Sequence, residues 1–244
     1  MNPPPALELL DLTLRYQGRS LFEALTLTVR AGCCTALLGA SGIGKTSLLR
    51  IAAGLVTPDA GEVRASDGLT LKGRVSWMGQ QDLLYPWLRV LENVLLGSRL
   101  RHEQPDIPRA LALLDAVGLR DQRNALPKEL SGGMRQRVAL ARTLYENSPI
   151  VLMDEPFSAL DAITRAAMQT LAAELLAGRT TLMITHDPFE ACRLGHSLYV
   201  MSGCPARLDN EIRLSGQPPR APDDAALLQT QGELLRTLLA GHHS

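Results

Sequence analysis

Gly39-Ala40-Ser41-Gly42-Ile43-Gly44-Lys45-Thr46 combines three glycines, a lysine and a threonine in the spacing of a phosphate-binding loop. The glycines let backbone N–H groups curl inward around an anion, and a helix opening near Ser47 adds its positive end. Lys45 is then placed to reach terminal phosphates and the Thr46 hydroxyl to hold a magnesium ion. Further along, Ile150-Val151-Leu152-Met153 stops at Asp154-Glu155. Side chains alternate faces along a strand, so the two carboxylates are expected to have different tasks, one on a metal ion and one on water. Gln80 and His186 each follow a short β-rich run. Ser131-Gly132-Gly133 stands at a helix start, where uncovered N–H groups make a second anion site. Taken alone, each of these has a plainer reading: solvated loop acids, an ordinary loop histidine, a capped helix with flexible glycines.

The elements that must hold these groups are legible from periodicity. Ala6 to Arg15 and Leu21 to Arg30 alternate apolar and polar residues around Gln17-Gly18-Arg19-Ser20, which predicts an antiparallel pair. Tyr16, at the end of the first strand, either packs into the core or offers its ring to a flat ligand. Cys33 to Leu38 reads as a buried strand leading into the phosphate loop, and Ser47 to Ala53 as an apolar-faced helix. Glu62 to Val63, Val75 to Met78, Ile150 to Met153 and Thr180 to Thr185 are further strand candidates. Between residues 82 and 144 the texture turns helical, over Val90 to Leu100 and Pro108 to Val117, with no strand. This predicts an inserted helical subdomain, closed by a helix that Ser131 caps. Ile163 to Leu176 and Ala225 to Leu239 are expected helices. His196 to Met201 and Ala206 to Leu214 are expected closing strands, and residues 217–244 a C-terminal tail ending in solvated His242 and His243.

A chain of 244 residues, with 25 basic and 25 acidic side chains, suits one α/β domain rather than two nucleotide-binding domains. The charge balance gives no overall field toward nucleic acid or an anionic membrane. Cys33, Cys34, Cys192 and Cys204 lack metal-like or disulfide-rich spacing and suit reduced thiols in a cytoplasm. Met1 to Pro5 lacks the features of a signal peptide, and no apolar stretch approaches the roughly twenty residues needed to span a bilayer.

In this order the motifs resemble the ATP-binding subunit of an ATP-binding-cassette (ABC) transporter over nearly the whole chain. Gly39 to Thr46 matches Walker A, Gln80 the Q-loop, Leu130 to Gln136 the signature, Ile150 to Glu155 Walker B, Ser158 to Asp161 the D-loop, and His186 the switch histidine. The resemblance implies a P-loop NTPase core of ABC type, with an antiparallel β subdomain and an inserted α-helical subdomain in a single domain over residues 1–244. It implies ATP and Mg2+ as bound groups, with phosphates held by Gly39, Ala40, Ser41, Gly42, Ile43, Gly44, Lys45, Thr46 and Ser47, and the metal and its water arranged by Thr46, Gln80 and Asp154, Gln80 thereby joining Glu155 and His186 in the catalytic set. Glu155 is implied as general base, His186 as a contact to the terminal phosphate, and Tyr16 as a stack for adenine. Ser131, Gly132 and Gly133 would contact ATP held by a second copy in a head-to-tail dimer. Met134 and Gly79 depart from the commonest family residues without touching those donors.

Asp82-Leu83-Leu84-Tyr85-Pro86-Trp87-Leu88 and the residues after Asp154 look most like importers for nitrate, sulfonates, taurine and hydroxymethylpyrimidine. A hydroxymethylpyrimidine importer is the leading expectation and a nitrate, sulfonate or taurine importer the alternative. An exporter cassette or a non-transport ABC ATPase acting on nucleic acid are the competing classes. The importer reading implies permease subunits docked around Trp87, a periplasmic or extracellular solute-binding protein, no nucleic acid partner, and a place on the cytoplasmic face of the membrane.

Overall fold

The computed structural model describes residues 3–241; His242 and His243 lie outside them. The N-terminal hairpin forms as its alternation predicts: β1 (Leu7–Tyr16) pairs antiparallel with β2 (Arg19–Val29) across a two-residue turn at Gln17 and Gly18, both with positive φ. After β3 (Cys34–Gly39) and α1 (Lys45–Ala52), the chain returns through β4 (Ala60–Ala65), which joins β1 on its other edge to give the order β2-β1-β4. Alternate residues of this small sheet, Leu7, Leu9, Leu12, Phe22, Leu25, Leu27 and Val29, are buried against α1 and the lower face of the main sheet.

The parallel part of the main, seven-stranded sheet is built from β3, β5 (Val75–Met78), β6 (Ile150–Asp154), β7 (Thr180–Ile184) and β8 (Ser197–Ser202), in the order β8-β3-β7-β6-β5. Both of its faces are covered, which is why these strands are near-continuous apolar runs. Leu37, Ile150, Leu152, Leu182 and Ile184 face the hairpin side. Ala36, Leu38, Val151, Met153 and Met183 face a second core shared with the helices.

Between β5 and β6 lie α2 (Val90–Val94), α3 (Leu96–Leu100), α4 (Ile107–Ala116) and α5 (Gly132–Tyr145), with no strand. The single helix expected over Val90 to Leu100 is in fact two. The division is slight: Leu95 stays in the right-handed helical region, its N–H donates to the Leu91 carbonyl at 3.0 Å, and its carbonyl accepts both the Arg99 N–H at 3.2 Å and the Ser98 hydroxyl at 2.8 Å. These helices are fused to the core: Val90, Leu114 and Val138 belong to the same buried cluster as Met153 and Met183.

The Ala206 to Leu214 expectation is also corrected. Only β9 (Arg207–Leu208) and β10 (Ile212–Arg213) form, each pairing antiparallel with β8, with exposed Asp209 and Asn210 between them. After β6 the chain continues through α6 (Ala162–Leu176) and, after β7, α7 (Pro188–Leu194). The last element, α8 (Ala225–Gly241), packs against α7.

Candidate active site

Strand register decides which side chains meet. Ile184 pairs with Leu37 on one side and Asp154 on the other, and Met78 pairs with Met153. The carboxyl ends of β3, β5, β6 and β7 therefore form one edge. The phosphate loop, Gln80, Asp154-Glu155 and His186 all emerge there, where ligands bind in open α/β sheets.

The loop itself requires glycine at two points. A Cβ on Gly39 would lie 2.5 Å from the Met201 carbonyl oxygen, and Gly44, at φ 111°, caps α1 with Leu21 packed against it. Lys45 opens α1 and is buried; its Nζ donates to the carbonyls of Gly39 and Ala40, both at 2.8 Å. Burial lowers its pKa, opposed by the nearby charges of Glu155 and Asp154. Ser41, Gly42, Gly44, Lys45, Thr46 and Ser47 line a cleft that Tyr16, Gln80 and Glu155 complete. Ala40 and Ile43 face an adjoining recess together with His186. Tyr16 is 70% exposed at the tip of its hairpin, so the core alternative for it is removed.

Asp154 is 2% exposed, and burial raises its pKa against the opposing bond from Thr46. Its Oδ2 has no hydrogen-bond partner. A buried carboxylate oxygen without a donor, next to a threonine hydroxyl, is the oxygen-rich surrounding that Mg2+ takes when phosphates and waters supply its other ligands. The residues present thus fit the ion.

Glu155 departs from the alternation argument. It is not a strand residue: φ is 49°, in the left-handed region, and its N–H donates to the Ile184 carbonyl at 2.9 Å. This reversal, rather than the pleat, turns the two carboxylates apart, at a backbone cost of about 1–3 kcal/mol. The Glu155 carboxylate then sits between two partners. Gln80 Nε2 donates to Oε2 at 3.3 Å, and His186 Nδ1 lies 3.2 Å from Oε1.

Gln136, buried in α5, is a residue whose part in this site the sequence did not reveal. Its Nε2 donates to the Glu155 carbonyl at 3.2 Å, and its Oε1 accepts from the Ala159 N–H at 2.9 Å. It ties the helix that Ser131 caps to the turn that strains Glu155. Arg142 likewise donates to the carbonyls of Asp82 and Leu83, and Arg135 bonds the Asp82 carboxylate at 2.9 Å. The segment after Gln80 is thereby fastened to α5. The sequence signal for Gln136 was its place at the end of the Leu130 to Gln136 motif, which does not specify its partners.

Ser131 caps α5 by accepting from the Met134 N–H at 3.2 Å. With Gly132 it is exposed, and Ser131, Gly132 and Gly133 do not line the phosphate-loop cleft of their own chain. Tyr85 and Trp87 meet edge to face at 5.4 Å, Trp87 70% exposed, beside an open groove floored by Leu84, Leu96 and Thr143. Among the described residues no helix is long and apolar enough to cross a membrane.

Residues 22–158 match the family described as "ABC transporter". The chain is 43% identical over 235 residues to "Aliphatic sulfonates import ATP-binding protein SsuB 1" of Rhodococcus jostii, covering 96% of this chain and 93% of that relative. It is 41% identical over 239 residues to an "Aliphatic sulfonates import ATP-binding protein SsuB" of Cupriavidus pinatubonensis, covering 96% and 78%. The solved "dimeric structure of a post-hydrolysis state of the ATP-binding cassette MJ0796 bound to ADP and Pi" is similar at a TM-score of 0.77 and 30% identity, covering 86% of this chain and 99% of that one.

Proposed function

The chain belongs to the ABC transporter family, and on that premise we propose that it is the ATP-hydrolysing subunit of a membrane importer for aliphatic sulfonates. The observation that carries the hydrolytic part is the placement of Glu155 at the cleft mouth between Gln80 and His186, opposite the phosphate loop. The sulfonate relatives named above support the solute class, and they move the reading from hydroxymethylpyrimidine to its sulfonate alternative.

In this reading ATP is the substrate. Tyr16 stacks on adenine, and the N–H groups of Gly39 to Ser47, with Lys45, hold the phosphates. Thr46, Asp154 and Gln80 hold Mg2+, which supplies charge neutralisation on the transferring phosphoryl group. Glu155 takes a proton from the attacking water as its oxygen bonds to the terminal phosphorus and ADP departs. His186 turns from Glu155 to the phosphate being released.

By the resemblance to the family, Ser131 to Gly133 serve ATP bound to a second, head-to-tail copy, in keeping with their place outside their own cleft. The exposed Tyr85–Trp87 edge and its groove take a permease segment, which holds the subunit at the cytoplasmic face. A solute-binding protein delivers the sulfonate from the other side.

Tyr16→Ala is expected to weaken ATP by roughly 1 kcal/mol, on the scale of aromatic pair energies, with little change in thermal stability because the ring is exposed. Titration with ATP and a melting curve on one preparation check both. Transport itself is tested with the assembled complex in vesicles. ATP-driven uptake of an aliphatic sulfonate, abolished by Trp87→Ala while ATP binding by the isolated subunit is retained, supports the proposal. Uptake of a pyrimidine but no sulfonate overturns the solute, and normal uptake by Trp87→Ala overturns the docking site.

A further inference from the structure

Glu190 is a carboxyl group to which hydrolysis as described above gives no task. It lies in the first turn of α7 at 5% exposure. Its Oε2 accepts the Thr185 hydroxyl at 2.9 Å, and Thr185 Oγ1 in turn accepts the Asp187 N–H at 3.1 Å. The residues joined by this chain of bonds are the two that flank His186. The same turn is fixed again at its far end, where the Asp187 carboxylate accepts the Phe189 N–H at 2.9 Å. Below the turn is a small recess bordered by Glu155, Ser158, Arg165, His186 and Glu190. Glu190 Oε1 is buried without a partner.

A carboxyl group is a costly way to fill space. Burial pushes its pKa up to about 8, with the Thr185 bond opposing, and an apolar side chain of equal size would pack on β7 without that penalty. What an apolar side chain lacks is an acceptor for Thr185. Without one, the hydroxyl that receives the Asp187 N–H loses its fixed orientation, and the His186 turn loses its inner tether.

We propose that Glu190 is a positioning residue of the hydrolytic site, which acts through the Thr185 hydroxyl to hold the Thr185–Asp187 turn so that His186 stays within reach of Glu155. The inference rests on the assignment of His186 to hydrolysis.

The test is steady-state ATP hydrolysis by the assembled transporter, with ATP affinity measured on the same proteins. Glu190→Met keeps the volume and removes the acceptor, Thr185→Val removes the donor, and Glu190→Gln keeps a neutral acceptor. Glu190→Met and Thr185→Val are each expected to lower kcat about tenfold, the order of effect of a misplaced reacting group, with ATP affinity changed less than about twofold. Glu190→Gln should stay within about threefold of the parent, and the Thr185→Val/Glu190→Met pair should fall no further than either alone. In a His186→Ala background, Glu190→Met should add nothing. A tenfold loss that persists in that background, or full additivity of the pair, overturns the positioning role and leaves the His186 assignment intact. Unchanged kcat in His186→Ala itself overturns both. If Glu190→Met does not fold, Thr185→Val and Glu190→Gln carry the same comparison.

Discussion

Glu155→Gln is expected to cut steady-state ATP hydrolysis by the assembled transporter about a hundredfold or more, the usual contribution of a general base, while ATP binding stays within a few-fold. The amide preserves the side chain's shape and can still accept from Gln80, whose Nε2 lies 3.3 Å from Oε2. It cannot take a proton from water. Because φ at this position is 49°, and Gln is no worse suited to it than Glu, the backbone reversal is expected to survive the exchange. Turnover per folded complex is the quantity to measure. A decrease of less than threefold would remove Glu155 from the role.

Lys45→Ala acts at an earlier step. In the structure Nζ bridges the Gly39 and Ala40 carbonyls at 2.8 Å each, which holds the ammonium inside the phosphate loop. On the proposed role Lys45 makes a charge-assisted bond to a phosphate oxygen, and losing such a bond costs about 1.5–3 kcal/mol, or roughly 10- to 150-fold in ATP affinity. The two variants should therefore separate cleanly: Glu155→Gln loses turnover at near-normal affinity, and Lys45→Ala loses affinity. Direct ATP titration distinguishes them, and near-parental affinity in Lys45→Ala would contradict the direct phosphate contact.

The parts of this site that were legible in the sequence are those that local chemistry determines. An apolar run ending in Gly39 or Asp154 marks a buried strand and its carboxyl edge, and Ser131 caps its helix through a bond only three residues long. Tyr16 was ambiguous because its alternation is shared by core and hairpin tip; its 70% exposure resolves it. What the sequence hid depends on contacts distant along the chain. Strand periodicity assigned Asp154 and Glu155 to opposite faces, but the strand ends at Glu155, whose φ of 49° leaves the β region although its N–H still makes the ladder bond to Ile184 of the neighbouring β7. Gln136 reaches that same turn across 19 residues, and no local pattern announces such a bond.

The cleft holding Lys45, Thr46 and Glu155 and the Ser131–Gly133 helix start are proposed to close on one ATP across a head-to-tail dimer, and sedimentation of the Glu155→Gln chain with and without ATP tests this proposal most directly. A shift from monomer to dimer on adding ATP is predicted, abolished by Ser131→Arg although each monomer still binds ATP. A Glu155→Gln chain that remains monomeric at saturating ATP, or that dimerises equally well with Ser131→Arg, would contradict it.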